Sequence, residues 1–247
     1  MNKLFLLDAY SLIYRAYYGL SRTPRINSKG MNTGAIFGFV NMLHEIISKG
    51  GATHLAVAFD HGKTFRHEAY PPYKAQRQET PEDIKKAVPY IKSILEAWHI
   101  PVLQADGYEA DDVIGAVATA MSKLTGADIA SCETGMGQQT ADEKAENSVG
   151  DDKIVGQNET DNVSESGQDG TDGMQKDAVS SAVETYMVTQ DKDYGQLVKP
   201  NVFIYKPHQH GGGYDVIGVK EVCQQFQVER PEQVADFLAL KGDSADN

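Results

Sequence analysis

Cysteine is nearly absent from this 247-residue chain. Cys132 and Cys223 are the only two, which excludes a disulfide framework and suits a reducing compartment. Long apolar runs are missing as well, so nothing reaches the length of a membrane span. The apolar start at Leu4–Leu7 is cut off by Asp8 after four residues, too short for the core of a secretory signal. No G-x-G-x-x-G follows that segment, which argues against a dinucleotide-binding oxidoreductase. Asp8 is not followed two residues on by another Asp; Tyr10 stands there, against a phosphatase with an aspartyl nucleophile. No internal repeat is visible. The expectation is a soluble cytoplasmic protein that makes no use of a membrane.

Positive charge is short too: 23 Lys and Arg stand against 35 Asp and Glu, a net of −12. The deficit is local. Residues 126–184 hold 14 acidic and 3 basic residues, and the remainder holds 21 and 20. The bulk charge therefore describes one segment and leaves a nucleic-acid partner open. That segment is rich in Gly, Ser, Asn, Gln, Thr, Asp and Glu, with sparse and unperiodic apolar residues. It is expected to be a disordered insertion, because it cannot bury enough surface to offset its ordering entropy. It divides the chain into a first folded part, 1–125, and a second, 185–247.

What is present in the flanks is a packed-core pattern, with 40% apolar residues overall. Lys3–Leu7, Leu55–Phe59, Pro101–Gln104 and Tyr186–Thr189 read as buried strands. Val202–Tyr205 and Tyr214–Ile217 read as a hairpin around a Gly-rich turn that also carries His208 and His210. Helices are expected from Thr33 to Ser48, with Ile36, Phe37, Val40, Leu43 and Ile47 on the apolar stripe, and from Thr80-Pro81 to Trp98. Two more are expected at Glu109–Leu124 and Pro231–Leu240. Strands alternating with helices imply an α/β fold with a mostly parallel central sheet flanked by helices.

The acids sit where such a fold binds ligands, at the carboxyl ends of strands. Asp8 and Asp60 each follow a strand. Asp191 and Asp193 follow another. Glu109, Asp111 and Asp112 open a helix, and Asp243 and Asp246 close the chain. Any one of them reads equally well as a turn residue or helix cap. Nine at one edge would repel, and a hard divalent cation relieves that conflict; Mg²⁺ fits best. Two such ions can clamp the attacking and leaving oxygens of a phosphodiester. Overhanging this edge is Phe65-Arg-His-Glu-Ala-Tyr-Pro-Pro-Tyr-Lys-Ala-Gln-Arg77. Lys74 and Arg77 would share a face if helical, to hold phosphates, while Tyr70 and Tyr73 stack on bases. Arg15, Arg22, Arg25 and Lys29 add charge nearby.

Leu6-Leu-Asp-Ala-Tyr-Ser-Leu-Ile-Tyr-Arg15, Ala58-Phe-Asp60, Phe65–Tyr70, Tyr73–Arg77, Gly107–Asp112, Thr189–Asp193 and Gly242–Asn247 together resemble one family. It is the 5′ nuclease (5′-3′ exonuclease) domain of bacterial DNA polymerase I, within the flap-endonuclease superfamily, whose fold is PIN-like. The resemblance implies a first metal site from Asp8, Asp60, Glu109, Asp111 and Asp112, and a second from Asp191, Asp193, Asp243 and Asp246. It implies two or more Mg²⁺ ions, with Mn²⁺ able to substitute. Lys74 and Arg77 match the basic pair of the family's arch, where they steer the scissile phosphate and stabilise transition-state charge. Tyr73 matches a stacking position, and Tyr70 and Arg15 are further substrate contacts. The implied reaction is hydrolysis of DNA with a 5′ flap or nick, or of an RNA–DNA primer, leaving a 5′-phosphate. Its roles would be primer and flap removal in replication and repair.

Two departures bear on this. The family's connection between Asp112 and Asp191 is short, whereas 78 residues lie between them here. The chain also ends where the family opens a helix–hairpin–helix element, so truncation is expected, with the polymerase domains absent. The competing expectation is therefore a truncated, catalytically weak or vestigial nucleic-acid-binding module.

Overall fold

The computed structural model describes residues 2–124, 183–208 and 213–242. Most of the acidic segment, His210, Asp243 and Asp246 lie outside the described residues. Val183 is buried and Glu184, counted above with the acidic segment, opens a strand.

The first strand, β1 (Lys3–Asp8), runs directly into α1 (Ala9–Gly19), and α2 (Gly34–Lys49) packs on α1. Then come β2 (His54–Ala58), the short α3 (Phe65–Ala69), α4 (Glu82–Ala97), β3 (Val102–Leu103) and α5 (Ala110–Met121). After the undescribed segment follow β4 (Glu184–Val188) and a 3₁₀ turn (Asp193–Leu197). The last elements are β5 (Val202–Pro207), β6 (Tyr214–Ile217), α6 (Val219–Phe226) and α7 (Val234–Lys241), the last entered through a 3₁₀ turn at Pro231–Gln233. The six strands form one sheet in the order β3-β2-β1-β4-β5-β6. All neighbours pair in parallel except β6, which returns antiparallel on β5 as the expected hairpin.

Side-chain alternation along the strands builds two cores. Phe5, Leu7, Val57 and Val188 face α1, α2 and α4, meeting Leu12, Phe39, Leu43, Ile84, Ile91 and Leu95. Leu6, Ala56, Ala58 and Met187 face the other layer, with Ile114, Val222, Phe226 and Val234. Each fully buried Leu, Ile or Phe contributes about 1.5–3 kcal/mol relative to exposure.

Several local expectations shift. Helix α1 was not anticipated; its buried set, Ala9, Leu12, Ile13 and Ala16, does follow the helical period. Helix α6 was also missed. On α2 the buried face is Ala35, Phe39, Leu43 and Ile46, so Phe37 and Ile47 turn outward. The Arg25 guanidinium covers the Phe37 ring at 4.0 Å. Helix α4 begins one residue later than the Thr80 cap implied; the Thr80 hydroxyl accepts from Tyr14 instead. Lys74 is not on a helix with Arg77. It lies in a turn, with φ 55°, in the left-handed region that disfavours a side chain.

Candidate active site

The parallel strands deliver their carboxyl ends to one edge, and the acids there begin as structural groups. Asp8 caps α1: its Oδ1 accepts from the Ser11 N–H at 3.1 Å. Asp60 accepts from the Ala110 N–H at 2.7 Å, serving the first turn of α5. Asp111 Oδ1 accepts from the Asp112 N–H at 2.7 Å, and Asp112 Oδ2 from the Glu109 N–H at 3.0 Å. Asp191 Oδ1 accepts from the Asp193 N–H at 3.0 Å. Helix N-termini favour anions through exposed N–H groups and the dipole, so the fold itself supports much of this charge.

That support has limits. The Asp8 pKa is pushed up to about 6, by burial first and then by the charges of Asp60 and Asp191. Asp111 is raised by burial and by Glu109 and Asp112. Two cations answer part of the charge. Arg66 forms a two-pronged pair with Asp112, at 2.6 and 2.7 Å, and holds that carboxyl below its ordinary range. Its Nη1 is 3.7 Å from Glu109. Lys74 donates to Glu109 at 2.7 Å, and the Tyr73 hydroxyl donates to the same carboxylate at 3.0 Å. Burial works against the Lys74 ammonium, but Glu109 and Tyr73 outweigh it and raise its pKa. Glu109 itself is only 5% exposed.

The charges of the remaining acids bear on a phenol. Tyr194, 2% exposed in the 3₁₀ turn after Asp193, has a hydroxyl with no hydrogen-bond partner among the described residues. Leaving such a group unpaired costs about 1–3 kcal/mol. Burial raises its pKa, and Asp8, Asp111, Asp191 and Asp60 add to the rise. A cleft of about 550 Å³ opens beside it, lined by Arg66, Asp111, Asp112, Lys123 and Asp193 among others.

The expected residues are thus partly assembled. Asp8, Asp60, Asp111 and Asp191 lie together; Glu109 and Asp112 adjoin them but are paired with Lys74 and Arg66. Among the described residues no three Asp, Glu, His or Cys side chains close tightly enough to chelate an ion directly. An all-oxygen donor set of this kind suits a hard divalent cation bound largely through its waters. The orphaned Tyr194 hydroxyl is the sort of group a coordinated water satisfies. Tyr73 and Lys74 reach the edge through their bonds to Glu109. Tyr70 is 62% exposed at the end of α3, and Arg15 bonds the His208 carbonyl beyond β5. Two residues escaped the sequence reading. Arg66 lies inside a quoted motif without having been given a task, and Tyr194 directly follows Asp193.

Residues 3–164 match the family described as 5′-3′ exonuclease, N-terminal resolvase-like domain. The chain belongs to the 5′-3′ exonuclease family. Similar members of that family's circle include the 5′-3′ exonuclease of Aquifex aeolicus, 31% identical over all of this chain and 64% of the relative. DNA polymerase I of Chloroflexus aurantiacus is 30% identical over 99% of this chain and 20% of the relative. DNA polymerase I of Geobacillus stearothermophilus is 45% identical over 47% of this chain and 13% of the relative. The matched parts span a fifth or less of the length of these polymerases. Among solved structures, the T5 D15 protein co-crystallised with metal ions superposes with a TM-score of 0.59 at 16% identity, covering 100% of this chain and 69% of that one. A bacteriophage T5 D15 flap endonuclease complex with DNA and metal ions gives 0.55 at 17%, covering 100% and 68%. The fold is thus shared with these T5 D15 structures. Among the described residues no helix is long and apolar enough to cross a membrane.

Proposed function

We propose that this chain is a divalent-metal-dependent, structure-specific 5′ nuclease that hydrolyses phosphodiester bonds near 5′ ends or flaps of DNA or RNA–DNA. The carrying observation is the gathering of acids at the carboxyl edge of the sheet, where the charges of Asp60 and Asp191 raise Asp8 and Lys74 pairs with Glu109. Family membership supports it, as do the metal ions and DNA named for the T5 D15 structures.

Asp8, Asp60, Glu109, Asp111 and Asp112 would hold a first Mg²⁺, with Mn²⁺ as a substitute. Asp191 and Asp193 would hold a second with Asp243 and Asp246. When bound, the ions supply charge stabilisation for the phosphodiester and a more acidic water. Lys74 leaves Glu109 to meet the scissile phosphate and works there with Arg77 on the developing charge. Tyr73, Tyr70 and Arg15 position the substrate strand. The setting is cytoplasmic primer and flap removal in replication and repair, beside polymerase domains such as the relatives carry.

The test is cleavage of a 5′-labelled flap DNA at low salt with Mg²⁺, against EDTA and Asp111→Asn. Metal-dependent release of short 5′ fragments, lost in the variant, is the expected result. A second reading, a nucleic-acid-binding module without cleavage, draws on the pairing of Glu109 and Asp112 with the chain's own cations. Flap binding with no Mg²⁺-dependent cleavage would select it.

A further inference from the structure

Tyr194 is an anomaly on packing grounds alone. Its ring belongs to the second core, where a phenylalanine would fill nearly the same space. Its hydroxyl is buried without a partner among the described residues and so carries a desolvation penalty that a phenylalanine would avoid. Thr185, the other buried orphan hydroxyl among the described residues, sits in β4 opposite Leu4 and Val202, toward the amino end of the sheet. Tyr194 differs because the cleft it lines is also lined by Asp111, Asp112 and Asp193, and the charges of Asp8, Asp111, Asp191 and Asp60 bear on it. A phenol can donate one hydrogen bond, and these carboxylates can only accept when ionised. The adjoining cleft, lined in part by Arg66, Asp111, Asp112 and Asp193, is large enough for water.

We propose that Tyr194 is a positioning residue of the metal centre, its hydroxyl donating to a water in the hydration shell of the first divalent cation, the one that Asp8 and Asp111 would hold. The inference rests on the metal-dependent reading above and adds a group outside the carboxylate set. It accounts for two observations together: a hydroxyl kept where it has no protein partner, and acids that gather without chelating distance. A water held between the phenol and the carboxylates joins them. Partners that hold the ligands of an ion in this way commonly change its affinity ten- to a hundredfold when removed.

The experiment compares the full chain with Tyr194→Phe and Thr185→Val. Mg²⁺ is titrated against each, followed by calorimetry and by the thermal unfolding midpoint, with no nucleic acid present. In EDTA, Tyr194→Phe is expected to unfold at or above the wild-type midpoint, since the orphan hydroxyl is gone. With Mg²⁺ the order reverses: the variant's affinity falls about tenfold, and its midpoint rises less. Thr185→Val leaves Mg²⁺ affinity unchanged. Equal Mg²⁺ affinity in wild type and Tyr194→Phe overturns the inference while leaving the metal-dependent reading in place. Equal losses in both variants also overturn it, since the effect would then be one of packing. A wild-type chain with no Mg²⁺ response removes both.

Discussion

Replacing Asp8 by Asn separates the acid's two tasks. Asn is as good a helix cap as Asp, so the bond from the Ser11 N–H survives and α1 keeps its start. What disappears is a charge that the fold holds at a cost. The Asp8 pKa moves from 3.8 to about 6 on folding. At about 1.4 kcal/mol per unit, the ionised form costs roughly 3 kcal/mol. Part of the residue reaches solvent, which makes this an upper limit. The sign follows from linkage: the folded chain binds this proton more tightly than the unfolded chain. The stabilisation that the proton supplies is complete below about pH 3.8 and lost as pH rises through about 6. Urea unfolding in EDTA should therefore show Asp8→Asn more stable than wild type by up to about 3 kcal/mol at pH 8, with little difference near pH 4. Mg²⁺ at a hundredfold excess over its dissociation constant returns about 2.7 kcal/mol to the wild type alone, nearly closing the gap. A variant less stable than wild type at pH 8 in EDTA, or a difference that does not vary with pH, would refute the reasoning.

Lys74→Ala leaves Glu109 buried with weaker partners. It should lower unfolding stability by about 1–3 kcal/mol in EDTA. It should also reduce kcat for flap cleavage more than it raises KM; equal effects on both would deny it a transition-state role. Arg66→Lys keeps the charge but loses the two-pronged grip on Asp112, and a loss of about 1–3 kcal/mol in urea unfolding is expected, with slower cleavage. Gly38→Ala places a methyl 2.6 Å from the Ala16 Cβ where α1 crosses α2, so the unfolding midpoint should fall by the equivalent of about 1–3 kcal/mol.

The sheet and its acid edge were legible because both rest on short-range rules: apolar runs of strand length, three of them closely followed by an acid. The phase of α2 was not. Phe37 and Ile47 are as apolar as Phe39 and Ile46, and only the packed partner decides which pair faces inward; Arg25 then shelters Phe37. Helix α1 hid because two of its four buried positions are alanines and its other surfaces carry Tyr10, Tyr14, Tyr17 and Tyr18. At the site, residue types and order revealed the acids, Lys74 and Tyr73. The pairing of Lys74 with Glu109 and of Arg66 with Asp112 depends on a turn with a left-handed lysine, which local propensity disfavours. Tyr194 could be marked only once its hydroxyl was seen to lack a partner.

Strand β1 lies at the middle of the sheet, with β2 on one side and β4 on the other. Leu4 pairs with His54 on the first side and with Thr185 on the second. During synthesis β1 leaves the ribosome first, gains β2 after some fifty residues, and meets β4 only when 181 residues separate the partners. At usual elongation rates that gap lasts about 10–40 s. For that interval one flank of the most apolar strand, Leu4-Phe5-Leu6-Leu7, is an open edge of the kind that recruits other chains. The length of the intervening segment matters little to the final stability, since each doubling of a closed loop costs only about 0.6 kcal/mol. Its effect falls on time: every residue added between α5 and β4 prolongs the exposure of β1, so the hazard in this architecture is kinetic and is borne by the nascent chain.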